Sequence, residues 1–559
     1  MSHGGCRMKK SVLIILLIIS ILSNVNSYTV ENNEIWVAFD FFNEKFTDFE
    51  TIDADVAFRV LNIWGNTLEE GNRYADDIEQ TVQKIHKIGR KTSGMFGGIS
   101  ISSKDEKSFI EKAGARNPEG IITSVDSLTL HGCYNRLEWQ KRLKEIYKIF
   151  SKHNIDYMEM DQPAQEHWRG ECYCDVCIKD FEKYLHKNNI IPKTNPFNYI
   201  DYLMKKRIHN IREGDRERYS EFGSYYWQFQ IEKDWKNVGR LTLDFKNINP
   251  LMKFFGNTWG LAGEYIESVK FYDMTNVAGD MRTPFIWEPA RDRFGPPYNS
   301  WIPAVKIAHS LGNKNIISFL DTYPYERLLK EHKEDKDYVF NIVASEFLAS
   351  GATFVFPYSN RVAYNQYGEF NKFNLRRFMS FIKNNREFFE KRKTNPQILL
   401  KASKQQTILT RFHKQYWAIA YYLIDNGLDY DFAFTETKTD EEKYKIVIDC
   451  DKYHQNIFNY TYDKNEKFIA EDIKELISKL QRKITVNEKN TRVFIYDNMI
   501  EGNNYMIAVT QKEQKQLIIT INSNEKLKKI VSYPQTEFKI DKQQIIFSEH
   551  PALIAIQTE

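Results

Sequence analysis

Short runs rich in β-branched and aromatic residues alternate with longer helical patterns over residues 34–360 of this 559-residue chain. Eight strand–helix units in about 330 residues predict an α/β fold, namely a (β/α)8 TIM barrel with insertions. An open doubly wound sheet is the alternative, but no glycine-rich phosphate loop follows the first strand. The predicted strands are Ile35–Phe42, Phe58–Asn66, Lys91–Gly98, Asp156–Asp161, Met252–Trp259, Ser268–Met274, Asn315–Asp321 and Thr353–Ser359.

Two smaller units are predicted to follow the barrel, which we assign to residues 28–395. Residues 396–490 mix helical and strand patterns, which indicates a small α/β domain. Residues 491–559 alternate apolar and polar positions between polar turns, which is typical of a compact, β-sandwich-like antiparallel module.

Residues 1–27 have the pattern of a secretory signal peptide. Met8-Lys9-Lys10 precedes an apolar run from Val12 to Leu22, and small residues surround Ser27. A run of about 11 residues is shorter than the ~20 that a membrane span needs. We therefore expect a secreted or cell-surface protein with no transmembrane domain after cleavage, the alternative being an uncleaved N-terminal anchor.

The charges of the chain are nearly balanced, with 78 Lys and Arg against 75 Asp and Glu and a net charge of +3. The basic residues are dispersed along the chain rather than clustered. A nucleic-acid partner is therefore not expected.

Four cysteines have the ligand count of a tetrahedral zinc site. Cys172, Cys174 and Cys177 form a Cys-x-Cys-x-x-Cys run, and Cys133 precedes them. An exported protein folds in an oxidising compartment, so a disulfide from Cys133 to one of the other three is an alternative, as are free thiols. We expect structural zinc, because four thiolates close the coordination shell and leave no open position for catalysis.

Acidic, amide and aromatic residues cluster at the carboxyl ends of the predicted strands, where barrel enzymes carry their active sites. Paired carboxylates supply the acid and the nucleophile of glycoside cleavage, and aromatic rings cover the apolar faces of sugars. The candidate substrate-binding residues are Trp64, Asn66, Glu159, Trp259, Asp273, Trp287 and Tyr323. The candidate catalytic residues are Asp161, Glu288 and Asp321.

Several of these motifs together resemble the family 42 glycoside hydrolases, which are barrel β-galactosidases and their relatives. The resemblance begins at Gly132-Cys133, continues through Tyr157-Met-Glu-Met-Asp-Gln162 and includes Cys172-Tyr-Cys-Asp-Val-Cys177. It extends to Thr283-Pro-Phe-Ile-Trp-Glu288 and to Glu346-Phe-Leu-Ala-Ser-Gly351. It implies zinc on the four thiols, a nucleophilic Glu288, a flavodoxin-like character for residues 396–490 and assembly as a homotrimer.

The sequence departs from the family pattern at the acid. Where the family has an Asn-Glu pair, this chain has Asp161-Gln162, or Met160-Asp161 if the register shifts by one. A glutamine cannot protonate a leaving group, so we assign the acid to Asp161. Glu159, two residues earlier and deeper in the barrel, is a third candidate. The nucleophile stays open, because the motif favours Glu288 whereas strand counting favours Asp321.

These observations predict an exported, β-galactosidase-like glycosidase that cleaves O-glycosidic bonds of a sugar or polysaccharide with two carboxylates and retention of configuration. The alternative is a non-catalytic carbohydrate-binding or cell-surface structural protein built on a degenerate glycosidase barrel, with Gln162 as the trace of lost catalysis.

Overall fold

The computed structural model of the protein describes residues 29–30, 34–38, 46–124, 127–161, 172–190, 198–205, 221–258, 265–276, 302–312, 315–319, 336–357, 372–390, 392–410, 413–456, 471–488, 491–497, 502–509 and 514–559. The helices are α1 Phe46–Ile52, α2 Leu68–Lys87, α3 Lys107–Ala113, α4 Leu137–Lys152, α5 Asp175–Lys187, α6 Tyr199–Lys205, α7 Glu221–Ile248, α8 Ile302–Ser310, α9 Lys336–Ser350, α10 Lys372–Asn384, α11 Arg386–Phe389, α12 Lys404–Thr410, α13 Lys414–Asp425 and α14 Glu471–Ser478, with 3₁₀ turns at Val269–Phe271 and Cys450–Asn456. The strands are β1 Thr29–Val30, β2 Trp36–Ala38, β3 Val56–Ile63, β4 Lys91–Gly97, β5 Ser100–Ser102, β6 Thr129–His131, β7 Tyr157–Asp161, β8 Lys253–Asn257, β9 Met274–Asn276, β10 Ile316–Phe319, β11 Thr353–Pro357, β12 Arg392–Thr394, β13 Ile398–Ala402, β14 Tyr430–Phe434, β15 Ile446–Asp449, β16 Ile484–Val486, β17 Arg492–Asp497, β18 Asn503–Ala508, β19 Leu517–Ile521, β20 Leu527–Tyr533, β21 Phe538–Asp541, β22 Gln544–Phe547 and β23 Leu553–Thr558.

Eight of these strands close into a barrel in the order β2-β3-β4-β7-β8-β9-β10-β11. Every neighbouring pair is parallel, including β11 with β2, which closes the ring. The predicted TIM barrel is therefore confirmed, and the alternative prediction of an open doubly wound sheet is wrong.

The helix α2 illustrates how the sequence encodes the outer layer of the barrel. Thr67 accepts a hydrogen bond from the Glu70 backbone, and the Glu70 side chain accepts one from the Thr67 backbone, which forms a capping box. Ala75, Ile78 and Val82 follow at helical spacing and are buried against the barrel. Burial of each of the larger side chains, Ile78 and Val82, contributes about 1.5–3 kcal/mol.

The lower part of the barrel interior is filled by apolar side chains from seven of its strands. The ring of Trp36 on β2 lies 4.7 Å from that of Tyr157 on β7, centroid to centroid. These side chains fill the amino-terminal part of the barrel interior. The cluster comprises Trp36, Val56, Phe58, Tyr157, Phe255, Met274, Ile317 and Val355.

The rest of the chain forms three further sheets. A parallel sheet has the order β14-β13-β15, and two other sheets have the orders β1-β12-β17-β18-β23-β20 and β16-β19-β22-β21. The pairs within the last two are antiparallel. Strand pairing crosses the boundaries predicted at residues 395 and 490, because β1 and β12 join β17 and because β16 pairs with β19. The predicted boundaries and the flavodoxin-like character of residues 396–490 stay predictions.

Buried ion pairs join the barrel helices to these sheets. Lys306 on α8 lies 2.7 Å from Asp429, and both side chains are 1% exposed. Arg492 on β17 lies 3.6 Å from Glu346 of α9 and 2.5 Å from Asp425 of α13. Glu346, which belongs to a motif of the family 42 resemblance, thus contacts the carboxy-terminal sheet.

Among the described residues, no helix has both the length and the apolar character needed to cross a membrane.

Candidate active site and cysteine cluster

Two polar side chains meet at the carboxyl ends of neighbouring barrel strands. Asp161 is the last residue of β7 and Asn257 is the last residue of β8. The Asn257 Nδ2 donates a hydrogen bond of 2.9 Å to the Asp161 Oδ1. Asp161 is partly exposed whereas Asn257 is buried. A buried amide therefore fixes a carboxylate that faces the barrel mouth.

Glu159 lies one layer deeper on the same strand and is fully buried. Its two carboxylate oxygens accept hydrogen bonds of 2.7 and 2.9 Å from Arg59. Arg59 has a left-handed backbone with φ of 56° and lies where the pairing of β3 with β4 shifts register. Glu159 is therefore a buried partner of Arg59, and its assignment to substrate binding stays a prediction.

Trp64 and Asn66 follow β3 at the same end of the barrel, and both are partly buried. A Cβ atom on Gly97 would lie 3.1 Å from the Trp64 ring, so the indole lies close over the end of β4. Gly97 is in register with Asp161, which places Trp64 near the candidate acid. The Asn66 side chain hydrogen-bonds to Glu70 at the start of α2.

Asp273 lies at the opposite end of the barrel from Asp161. The strand predicted over Ser268–Met274 is wrong, because Val269–Phe271 forms a 3₁₀ turn and β9 begins only at Met274. Asp273 therefore precedes its strand instead of ending it. The carboxylate forms an ion pair with Lys246 and accepts a hydrogen bond of 2.8 Å from the Phe254 backbone, which indicates a structural role.

Gln162 and five of the predicted site residues lie outside the described part of the chain. The five are Trp259, Trp287, Glu288, Asp321 and Tyr323. The structure thus fixes the position of the candidate acid and leaves the choice of nucleophile as a prediction.

The four cysteines predicted as a metal site come together in the structure. All four are buried, and their sulfur atoms lie within 4.8 Å of one another. Cys133 Sγ lies 3.9 Å from Cys174 Sγ and 3.7 Å from Cys177 Sγ. In a tetrahedral site with Zn–S bonds of about 2.3 Å, neighbouring sulfurs lie about 3.8 Å apart. The thiols are free rather than disulfide-bonded, and their geometry can hold a metal ion.

The surroundings of the cluster favour negative charge on the sulfur of Cys174. Burial raises the pKa of Cys133 and of Cys177, whereas hydrogen bonds from the thiols of Cys133, Cys172 and Cys177 hold the pKa of Cys174 far below its usual value. Cys174 is the N-cap of α5, where the helix dipole stabilises an anion. Burial would lower the pKa of Arg136, but the neighbouring Cys174 outweighs it and raises that pKa.

Hydrogen bonds to neutral groups position the cluster from outside. The Asn135 Nδ2 lies 2.9 Å from Cys177 Sγ, and the Asn135 Oδ1 accepts a hydrogen bond from Asn237 on α7. The Cys172 carbonyl accepts hydrogen bonds of 2.5 and 3.1 Å from Tyr226 and Gln230 of the same helix. These hydrogen bonds therefore join Cys172 and the start of α5 to α7.

Sequence reasoning missed Asn257 and Arg59. Asn257 lies within the predicted strand Met252–Trp259, and an amide near the carboxyl end of a barrel strand is a usable signal. Arg59 is the one charged residue in the run Val56–Ile63, which is a signal for a buried ion pair.

The eight-stranded parallel barrel is a fold that this chain shares with solved structures of glycoside hydrolases. A catalytic mutant of Gan42B, a GH42 β-galactosidase from G. stearothermophilus, superposes with a TM-score of 0.60 at 10% identity, covering 95% of this chain and 99% of that one. α-L-Fucosidase isoenzyme 2 from Paenibacillus thiaminolyticus gives 0.56 at 10% identity, covering 94% and 100%.

A β-galactosidase from Bacillus circulans sp. alkalophilus gives a TM-score of 0.51 at 14% identity, covering 74% of this chain and 67% of that one. No protein-family model and no curated protein matches the sequence. The chain therefore has a glycoside hydrolase fold of the family 42 type, and at these identities the likeness is one of fold.

Proposed function

We propose that the protein is an exported glycoside hydrolase that cleaves O-glycosidic bonds with retention of configuration. The observation that carries the proposal is the carboxylate of Asp161, which ends the fourth barrel strand at the mouth and is held by Asn257. In this mechanism Asp161 protonates the leaving oxygen and then acts as base for the attacking water. Glu288, or failing that Asp321, is the nucleophile, and the substrate is a β-galactoside or a related sugar.

The fold supports this proposal, because its structural neighbours include β-galactosidases and an α-fucosidase. The indole of Trp64 near the end of β4 supports it too, since an aromatic face beside an acid suits a sugar ring. Export rests on residues 1–27 alone, and trimer formation rests on the family resemblance alone.

Aryl glycosides with good and poor leaving groups test the role of Asp161. A variant without the acid loses most activity on substrates whose leaving oxygen needs a proton and keeps more on substrates with an acidic phenol. We expect Asp161→Asn to lower kcat/KM by ~10²–10⁴-fold on alkyl and saccharide leaving groups, and by much less on dinitrophenyl glycosides. Glu288→Gln or Asp321→Asn, whichever removes the nucleophile, should lose activity on both kinds of substrate.

Asp273→Asn is the matched control, because it removes a carboxylate at the far end of the same barrel. It should leave kcat/KM unchanged for enzyme that is folded by circular dichroism. Full activity of Asp161→Asn on every leaving group would contradict the assigned role. Binding of glycans without turnover, over a broad panel, would support the non-catalytic alternative instead.

We further propose that the four cysteines hold one structural zinc ion. Cys133, Cys172, Cys174 and Cys177 would bind it as thiolates, and the ion would supply folding free energy rather than chemistry, since four sulfurs leave no position for water.

A further inference from the structure

A cavity lies on the outer wall of the barrel, between α10 and the segment from β20 to the start of β21. It has a volume of about 800 Å³. Lys383, near the end of α10, pairs with Asp53 and Asp55, which precede β3 at the amino-terminal end of the barrel. The cavity lies along α10, and neither Asp161 nor Asn257 is among its lining residues.

The charge of this cavity is positive. Arg376 and Arg377 of α10 line it, and both side chains are exposed. No aspartate or glutamate is found among its described lining residues. Glu387, just beyond the end of α10, already forms an ion pair with Lys529. Neither arginine forms an ion pair with any residue for which the structure gives a position. Arg377 donates one hydrogen bond to the Asn374 side chain, so both guanidinium groups keep donors that can bind an anion.

The remaining lining residues suit a sugar. The Tyr533 ring lies 4.5 Å from the Phe378 ring and 5.3 Å from the Phe381 ring, centroid to centroid, so that it is held in place. Phe538 is 40% exposed at the rim. The amides of Asn374 and Asn384 also line the cavity and match sugar hydroxyls. Aromatic surface, amides and two cations in one cavity form a combination that binds polar rings with negative charge.

We propose that this cavity binds an acidic oligosaccharide, meaning a chain of sugars that carries carboxylate or sulfate groups. The two guanidinium groups bind the acidic groups, and Phe538 and Tyr533 cover apolar sugar faces. The site lies outside the barrel mouth and needs no hydrolysis, so it does not depend on the activity proposed above.

Calorimetry on the full chain with the Asp161→Asn substitution tests the proposal without turnover. The probes are a short oligogalacturonide, a neutral galacto-oligosaccharide of equal length and sodium sulfate. We expect the oligogalacturonide to bind at least about tenfold more tightly than either of the others, and its affinity to fall with added salt. In the Arg376→Gln/Arg377→Gln variant its affinity should fall about tenfold or more.

The variant Lys528→Gln/Lys539→Gln is the control, because it removes two exposed cations from β20 and β21 outside the cavity. It should bind the oligogalacturonide as tightly as the chain with the Asp161→Asn substitution alone does. Equal binding of sulfate and oligogalacturonide, equal binding of the neutral sugar, or no effect of the arginine substitutions would overturn the proposal. Binding of the oligogalacturonide by a wild-type chain that hydrolyses no glycoside would leave it standing and refute only the proposed activity.

Discussion

The guanidinium of Arg59 forms two hydrogen bonds with the carboxylate of Glu159 inside the barrel, 2.7 and 2.9 Å long. The side chain of Glu159 is fully buried and that of Arg59 is 9% exposed. The pair ties the irregular strand β3 to β7 one layer below Asp161. Because a buried charge that loses its partner is left without solvation, removing either residue should be costly.

Glu159→Ala should lower the free energy of unfolding by about 3–5 kcal/mol, since the buried Arg59 guanidinium loses the carboxylate that accepts two of its hydrogen bonds. Denaturation with guanidinium chloride measures the change. Glu145→Ala is the control, because Glu145 and its partner Lys148 are 49% and 54% exposed. A solvated pair of this kind contributes about 0–1 kcal/mol, and equal losses in the two variants would contradict a buried ion pair.

Loss of the metal should destabilise the protein rather than stop its chemistry at once. Cys177→Ser should abolish the binding of one zinc per chain and lower the melting temperature by more than about 5 °C, because bound metal contributes directly to folding. Metal analysis and thermal melts measure both quantities. Cys450→Ser removes a buried thiol outside the cluster and should keep the zinc. A wild-type chain that contains no zinc would refute the assignment.

The barrel could be predicted because its strands are local apolar runs and because helices between them, such as α2 and α4, are amphipathic. The prediction of the sixth strand, Ser268–Met274, is wrong for a physical reason. Val269 and Tyr272 are buried, but they belong to a turn whose backbone bonds locally, from Phe271 to Ser268. Phe271 packs so close to Gly239 on α7 that a Cβ there would clash with its ring. A turn packed on a helix has the same composition as a strand, so the pattern could not separate them.

The candidate site likewise has parts that the sequence predicts and parts that it does not. Cys172, Cys174 and Cys177 are close in sequence, so their spacing alone predicts a cluster. The contacts of Asp161 with Asn257 and of Glu159 with Arg59 join residues 96 and 100 positions apart. Such pairs depend on strand register and on the bulge in β3, neither of which a single sequence specifies.

Asn257→Ala should lower kcat/KM by about 10–100-fold, mainly through kcat, because Asp161 loses the hydrogen bond that fixes its carboxylate. Steady-state kinetics on an aryl galactoside measures the change, with circular dichroism to confirm folding. Asn72→Ala, on the exposed face of α2, is the control and should keep full activity. Wild-type kinetics in the Asn257 variant would show that Asp161 is positioned by other groups.

Asp156 makes stability depend on pH at the amino-terminal end of β7. Its Oδ2 lies 2.8 Å from His86 Nε2 and accepts a hydrogen bond of 2.8 Å from the Thr92 backbone. Burial alone would raise the pKa of Asp156, but these hydrogen bonds outweigh it and hold the pKa below its usual value. The unfolded chain therefore takes up a proton at higher pH than the folded chain does. The stabilisation is present above about pH 4 and is lost as the pH falls through the folded-state pKa.

Wild type should accordingly be more stable than Asp156→Asn at about pH 5, and the difference in unfolding free energy should shrink towards about pH 3. Urea denaturation at several pH values measures it. Asp77→Asn replaces an exposed carboxylate on α2, and its difference from wild type should stay small throughout. A gap between wild type and Asp156→Asn that widens as the solution becomes more acidic would mean that the carboxylate is not stabilised in its charged form. The contacts with His86 and Thr92 would then contribute nothing to joining α2 and β4 to β7.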